Sequence, residues 1–249
     1  MQSGRVVSGA GRNIGRTIGL AFAREGGDIV LVSRTAAEVR RVAEECESFG
    51  GRALPVAADV SRHGEITEVV RQALDRFGKV DVLVSVAALR PHRPFWEFSY
   101  DDWHQAFNVN LHSTFYFAKA LAPSMIERRS GSIVALGGMS SVTAMRPGIG
   151  VVAASKHGLY GLIKAMAVDL GEYGVRANLV AVGNIATERH NPEWYLPGQE
   201  MRPEHQQLAL RRDGHPEEVA NAVLFLASED ASYITGGCLT CSGGRFPGM

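Results

Sequence analysis

Charge of one sign is what this 249-residue chain conspicuously lacks: 26 Lys and Arg stand against 26 Asp and Glu, so the formal net charge is zero. Without a global field there is no long-range attraction to nucleic acid or to an anionic membrane surface, and a small-molecule partner fits better. Cysteine is scarce too, with Cys46, Cys238 and Cys241 alone. An odd count with one close pair excludes a disulfide framework and points to a reducing compartment, so a cytoplasmic location is expected. Cys238-x-x-Cys241 has the spacing of half a metal or redox site, but no second such pair exists. A short strand there turns alternate side chains to opposite faces, so no metal site is expected. No run reaches the roughly 18 apolar residues of a membrane span, and the N-terminus, MQSGRVVSGAGR, lacks the charged-then-apolar order of a signal peptide. Internal repeats and low-complexity linkers are missing as well, which leaves a single domain over residues 1–249 as the economical reading.

What fills the chain is alternation. Short apolar runs (RVVS, DIVLVS, RALPVA, VDVLVSVA) take turns with helix-period segments at Ile14 to Glu25, Ala36 to Phe49 and Ile66 to Phe77. Long helices are expected over Asp101 to Glu127 and Val152 to Tyr173, with strands at GSIVALGG, VRANLVAVG and GCLTC and a helix at HPEEVANAVLFLAS. Strands that are apolar throughout require cover on both faces, so the pattern predicts an α/β fold: a Rossmann-like, doubly wound parallel β-sheet with helices on both sides. The alternation breaks at NIATERHNPEWYLPGQEMRPEHQQL, which is polar and punctuated by Pro. A substrate lid is placed around residues 184–212, with Trp194 and Tyr195 readable either as its aromatic lining or as ordinary packing.

The first strand, a turn holding Gly9, Gly11 and Gly15, and a helix follow one another in VVSGAGRNIGRTIGLAFA. That order aims backbone N–H groups and the positive end of a helix at a pyrophosphate, which predicts a dinucleotide site. Ser33 and Arg34 stand at the end of the second strand, where an acid would otherwise bind a ribose 2'-hydroxyl, and Arg12 in the turn is a second arginine bearing on the choice of dinucleotide. The expected cofactor is therefore NADP(H), with NAD(H) as the alternative should both arginines be plain surface charges. Asp59, after the third strand, is placed either to hold the adenine edge or to cap the next helix.

Several stretches in order carry a resemblance to the short-chain dehydrogenase/reductase family: SGAGRNIG, AADVS, VNL, ASKHGLYGL, GVRANLVAVGNIAT, PEEVANAVLFLAS and YITGGCLTCSGG. The resemblance covers nearly the whole chain and implies a sheet of about seven strands and a homodimer or homotetramer built through the two long helices. It implies cofactor contacts from Gly9, Arg12, Asn13, Ile14 and Gly15 in the turn, and from Arg34, Asp59, Val60 and Ala87 along the strand ends. Lys156, Gly183, Ile185 and Thr187 complete that set. The family's catalytic group is matched by Asn110, which helps hold a proton-relay water, and by Lys156, which binds the nicotinamide ribose.

The same resemblance exposes departures. The family tyrosine, the proton donor four residues before the lysine, is Val152, and the carbonyl-polarising serine falls at Gly138, with Ser140 and Ser141 just beyond. The family's Asn-Asn-Ala-Gly is Ser85 to Ala88, the middle turn glycine is Asn13, and the proline of the Pro-Gly pair is Val182. A positioned acid is worth about 10² to 10⁴ in rate, and valine cannot supply it. Three readings remain. An atypical oxidoreductase takes its acid from His92, Arg90, Arg93, Ser140, Ser141 or Tyr195; hydride transfer serves a substrate that needs little acid, such as an iminium ion or a conjugated alkene; or the chain is a non-catalytic, cofactor-binding partner or sensor. Tyr160 lies one turn beyond Lys156, away from Val152, and reads as helix packing. The first reading is preferred, acting on an unidentified small molecule.

Overall fold

The computed structural model describes residues 4–144, 146–188 and 208–245. Seven strands form one sheet: β1 (Gly4–Ser8), β2 (Asp28–Ser33), β3 (Ala53–Ala57), β4 (Val82–Ser85), β5 (Gly131–Gly138), β6 (Val175–Val182) and β7 (Cys238–Cys241). Their order is β3-β2-β1-β4-β5-β6-β7, with every pairing parallel. The central strands are apolar on both faces because both faces are covered; Val6, Val7, Val30, Leu31, Leu83 and Val84 are all fully buried.

Helices α1 (Asn13–Arg24), α2 (Ala36–Glu47) and α7 (Pro216–Ala227) pack one face, and α3 (His63–Phe77), α5 (Ser113–Arg128) and α6 (Gly150–Gly171) the other. Between β1 and β4 the direction of strand addition reverses. There the loops after the two strands part to opposite faces and leave a crevice at the carboxyl ends, which is where a doubly wound sheet offers a site.

The expected continuous helix over Asp101 to Glu127 is instead two. Helix α4 (Tyr100–Phe107), capped by a reciprocal Ser99–Asp102 box, runs into a π-helical turn at Asn108–His112 before α5 begins. Apolar periodicity continues through such a turn, so it leaves little mark on the sequence, and its consequence is to place Asn110 on the buried side. Helix α6 starts two residues ahead of Val152, at Gly150. Cys238 packs with the core on one face of the sheet and Cys241 with that on the other, as the strand's alternation requires. Of the expected lid, residues 189–207, including Trp194 and Tyr195, lie outside the described residues; its roots are joined by a parallel bridge between Ile185 and Gly214.

Candidate cofactor and active site

Strand β1 delivers the chain into the glycine turn at the crevice. Gly9 has φ +68°, and a Cβ there would lie 2.8 Å from the Ala87 nitrogen, so the left-handed turn and the close approach of the β4 loop both demand glycine. Asn13 also takes a left-handed conformation, φ 48°, which Asn tolerates better than most side chains. Its amide Nδ2 donates to the Glu188 carbonyl at 2.9 Å, tying the turn to the chain beyond β6. The N-cap residue Arg12 makes no side-chain cap and no acid stands in the first turn of α1, so its leading N–H groups and dipole suit an anion.

A single cavity of about 380 Å³ runs from this turn in both directions. At one end it is walled by Arg12, Ser33, Arg34, Thr35, Ala58, Asp59 and Val60. Asp59 does not cap α3, whose N-cap is Arg62; its Oδ1 accepts from the Ser61 N–H at 2.9 Å. Burial works against the Asp59 charge, but the Ser61 hydrogen bonds and the nearby Arg34 and Arg62 outweigh it and hold the carboxyl below its usual range. Glu38, in the first turn of α2, is a lining residue that sequence reasoning missed. Its Oε2 would lie only 2.5 Å from a Cβ placed on Gly11, so a carboxylate leans into the same wall as Arg12 and Arg34.

The other end is walled by Val86 to Arg90, His92, Leu136 to Gly138, Ser140, Arg146, Val152 and Lys156. Lys156 is 5% exposed, and its Nζ donates to the Leu136 carbonyl at 2.7 Å. Burial, helped by the positive charge of Arg90, pushes its pKa down to about 7. Val152 stands one helical turn earlier on the same wall, 3% exposed, and among the described residues no tyrosine lines the cavity. Ser140 faces the cavity, and its Oγ lies 3.3 Å from where a Cβ on Gly138 would stand. Ser141 turns behind β5, where its Oγ accepts from the Gly138 N–H at 3.3 Å.

Asn110 does not reach the cavity wall. Its Oδ1 accepts from the Leu89 N–H at 2.7 Å, and Nδ2 donates to the Leu89 carbonyl at 2.9 Å and to Ser155 Oγ at 3.0 Å. Both amide hydrogens are thereby committed, and the side chain pins the loop after β4 against α6. Arg93 is turned toward Asp102 and the Phe98 ring, and Tyr160 packs on the core with Lys164 over its ring. Of the expected cofactor set, Gly9, Arg12, Asn13, Ile14, Gly15, Arg34, Asp59, Val60, Ala87, Lys156 and Thr187 line this cavity. Gly183 instead abuts Ser242, where a Cβ would come within 2.6 Å of its Cα, and Ile185 is buried among α7 residues. Arg146 and Glu188 line the cavity without having been foreseen.

Fold and site together define an α/β protein with a glycine-turn cavity at the switch point of its sheet. The family model described as enoyl-(acyl carrier protein) reductase matches residues 9–245. The 3-oxoacyl-[acyl-carrier-protein] reductase of Thermotoga maritima is 34% identical over 241 residues, 96% of each chain. The L-rhamnose 1-dehydrogenase (NAD(P)(+)) of a Sphingomonas species is 34% identical, over 97% of this chain and 95% of its own. Among solved structures, a short-chain alcohol dehydrogenase from Sinorhizobium meliloti superposes with a TM-score of 0.92 at 28% identity, covering 98% of this chain and 97% of that one. A 7α-hydroxysteroid dehydrogenase solved with NADH and 7-oxoglycochenodeoxycholic acid gives 0.88 at 31% identity, over 97% and 93%. The chain belongs to the short-chain dehydrogenase/reductase family of NAD(P)-dependent oxidoreductases.

Proposed function

We propose that this chain is an NADP(H)-dependent oxidoreductase that moves hydride to or from a small molecule without the tyrosine acid of its family. The observation that carries this reading is one continuous cavity, bounded at one end by the glycine turn and at the other by Lys156, Ser140 and Val152. The residues present fit the cofactor: the leading N–H groups of α1 suit its pyrophosphate, Arg12 and Arg34 suit a 2'-phosphate, and the buried Lys156 ammonium suits ribose hydroxyls. When bound, the nicotinamide supplies the hydride. Ser140 stands in for the serine absent at Gly138 and orients a substrate oxygen, while Asn110 holds the β4 loop in place. Val152 offers no proton, so the oxygen is protonated by solvent or by a neighbouring cation rather than by a phenol.

Glu38 opposes the 2'-phosphate reading by its charge, and the two arginines outnumber it. Fluorescence titration tests this directly: NADPH is expected to bind more tightly than NADH. Equal affinity or tighter NADH removes the assignment of Arg12 and Arg34, and no binding of either favours the non-catalytic reading that the buried Val152 allows. Assembly as a homodimer or homotetramer is part of the same proposal, supported by exposed Trp103 and Phe115 on α4 and α5. Sedimentation showing monomer alone at micromolar concentration removes that part.

A further inference from the structure

Lys156 and Ser140 are both fixed at the carboxyl end of β5, and both line the cavity. Lys156 Nζ donates to the Leu136 carbonyl at 2.7 Å, and Ser140 stands in the short helical turn that follows Gly138. An ammonium carries three N–H donors, and among the described residues Leu136 is the one partner of this one. The Ser140 hydroxyl, on a residue 9% exposed, has no partner among the described residues. Buried donors are normally satisfied, so both point to an occupant of the cavity. The turn of α6 that carries Lys156 is itself held in place: Ser155 Oγ donates to the Val152 carbonyl at 3.1 Å and accepts from Asn110 Nδ2 at 3.0 Å. Val152, one turn before Lys156, offers that occupant no competing donor.

We propose that Lys156 is itself the acid of this site: one N–H of its ammonium holds the Leu136 carbonyl, a second holds a ribose hydroxyl of the cofactor, and the third protonates the oxygen of a ketone or aldehyde that Ser140 orients. The step, which rests on the cavity being the hydride-transfer site, balances. The carbonyl carbon takes a hydride from the reduced cofactor, the C=O π pair becomes a lone pair on oxygen, and that oxygen takes a proton from Nζ. The products are an alcohol, the oxidised cofactor and a neutral amine, which regains its proton from water. Burial holds the Lys156 pKa at about 7, so ammonium and amine are both populated near neutrality, as an acid recharged in every turnover requires. The charged or titratable groups that share this end of the cavity are Arg90 and His92 on the loop after β4 and Arg146 on the loop after β5, with Glu188 beyond β6; each has interactions of its own within the protein. Of these, Arg90 adds to the effect of burial on Lys156.

The chain has four lysines, Lys79, Lys119, Lys156 and Lys164, so NMR of protein labelled with carbon-13 at lysine Cε reads Lys156 directly, the signal being assigned by its loss in Lys156→Met. Without cofactor it is expected to titrate near 7 rather than at the ordinary 10.5. Single-turnover oxidation of saturating NADPH is then followed with cyclohexanone and 2,3-butanedione. The wild-type rate is expected to fall at least about tenfold from about pH 6 to about pH 9, as the ammonium is lost. Lys156→Arg keeps the charge and the donors but releases no proton, so NADPH affinity should move by less than about threefold while the saturated rate falls at least about 100-fold. A lysine that served the ribose alone would leave the saturated rate and its pH profile flat. Titration of Lys156 near 10.5, a saturated rate unchanged in Lys156→Arg, a flat wild-type pH profile, or bound NADPH that neither ketone oxidises in wild type each overturns the proposal. Failure of NADPH to bind sinks the proposed function beneath it, a result that none of the other outcomes produces.

Discussion

The turn after β1 and the turn after β5 open on the same cavity, yet they are built on opposite plans. At the first, the groups that face a ligand are backbone: a left-handed Gly9, a left-handed Asn13 and the leading N–H groups of α1. At the second, the groups are side chains: Gly138 has none and Val152 of the adjoining α6 carries no polar side-chain atom, while Ser140 and Arg146 do, joined by Lys156 of α6 and by Arg90 and His92 of the loop after β4. Backbone geometry tolerates few substitutes, because an added Cβ meets main-chain atoms. A wall of side chains is free to change its chemistry while the sheet beneath stays the same, which is how one fold hosts many reactions.

The contrast is broken most severely at the backbone end. A Cβ on Gly15 would lie 2.1 Å from the Gly9 carbonyl oxygen, a main-chain atom that cannot step aside. Gly15→Val is therefore expected to weaken NADPH binding by at least about 100-fold, roughly 2.7 kcal/mol, in the fluorescence titration. Next in size, Arg34→Leu should lower NADPH affinity by about tenfold and leave NADH nearly unchanged, since the pair it removes is charge-assisted. Glu38→Gln acts in the reverse direction, removing a repulsion on a partly exposed wall. The ratio of NADPH to NADH affinity is expected to rise about threefold.

A dependence of stability on pH sharpens the side-chain end. Lys156 titrates near 7 in the native protein and at its ordinary 10.5 in the unfolded chain, so between these values the unfolded chain binds the extra proton. The stability contributed at this position then rises as pH climbs from about 7 toward 10, because the unfolded state loses its advantage in bound protons. Denaturation midpoints at pH 7 and pH 9 should increase for wild type relative to Lys156→Met. A parallel shift of the two proteins contradicts the buried, depressed lysine.

Much of the fold was legible because a parallel sheet covered on both faces needs apolar runs such as DIVLVS and VDVLVS, and Gly and Pro mark where they stop. The π-helical turn at Asn108–His112 was not, since its apolar residues continue the spacing of an ordinary helix. At the site, local motifs carried furthest: the glycine turn, Arg34 and Lys156 all line the cavity. Glu38 was overlooked because it reads as a routine acid in the first turn of a helix, and only the packing of α2 on Gly11 brings it to the wall. Arg146 lies in a loop with no period, and no local signal marks which way its side chain turns. Ser140 and Ser141 are indistinguishable as neighbours in sequence; the short helical turn after β5 sends one to the cavity and the other behind the strand.

The central claim is that Val152 disables an acid in an otherwise competent hydride site, and the Val152→Tyr/Gly138→Ser double variant tests it most directly. A Cβ on Gly138 meets no backbone within 3.4 Å, its nearest neighbour being Ser140 Oγ at 3.3 Å, so the serine fits with a small adjustment. The tyrosine enters a tightly packed position and is expected to cost about 1 to 3 kcal/mol of stability, which a folding check must precede. Initial rates with NADPH and a panel of ketones and oxo acids are then compared with wild type. The account predicts a gain of at least about tenfold, equivalent to ~1.4 kcal/mol of barrier, with NADPH affinity little changed. Rapid reduction by wild type that is lost in the variant would contradict it, and would show that another donor already fills the space beside Lys156.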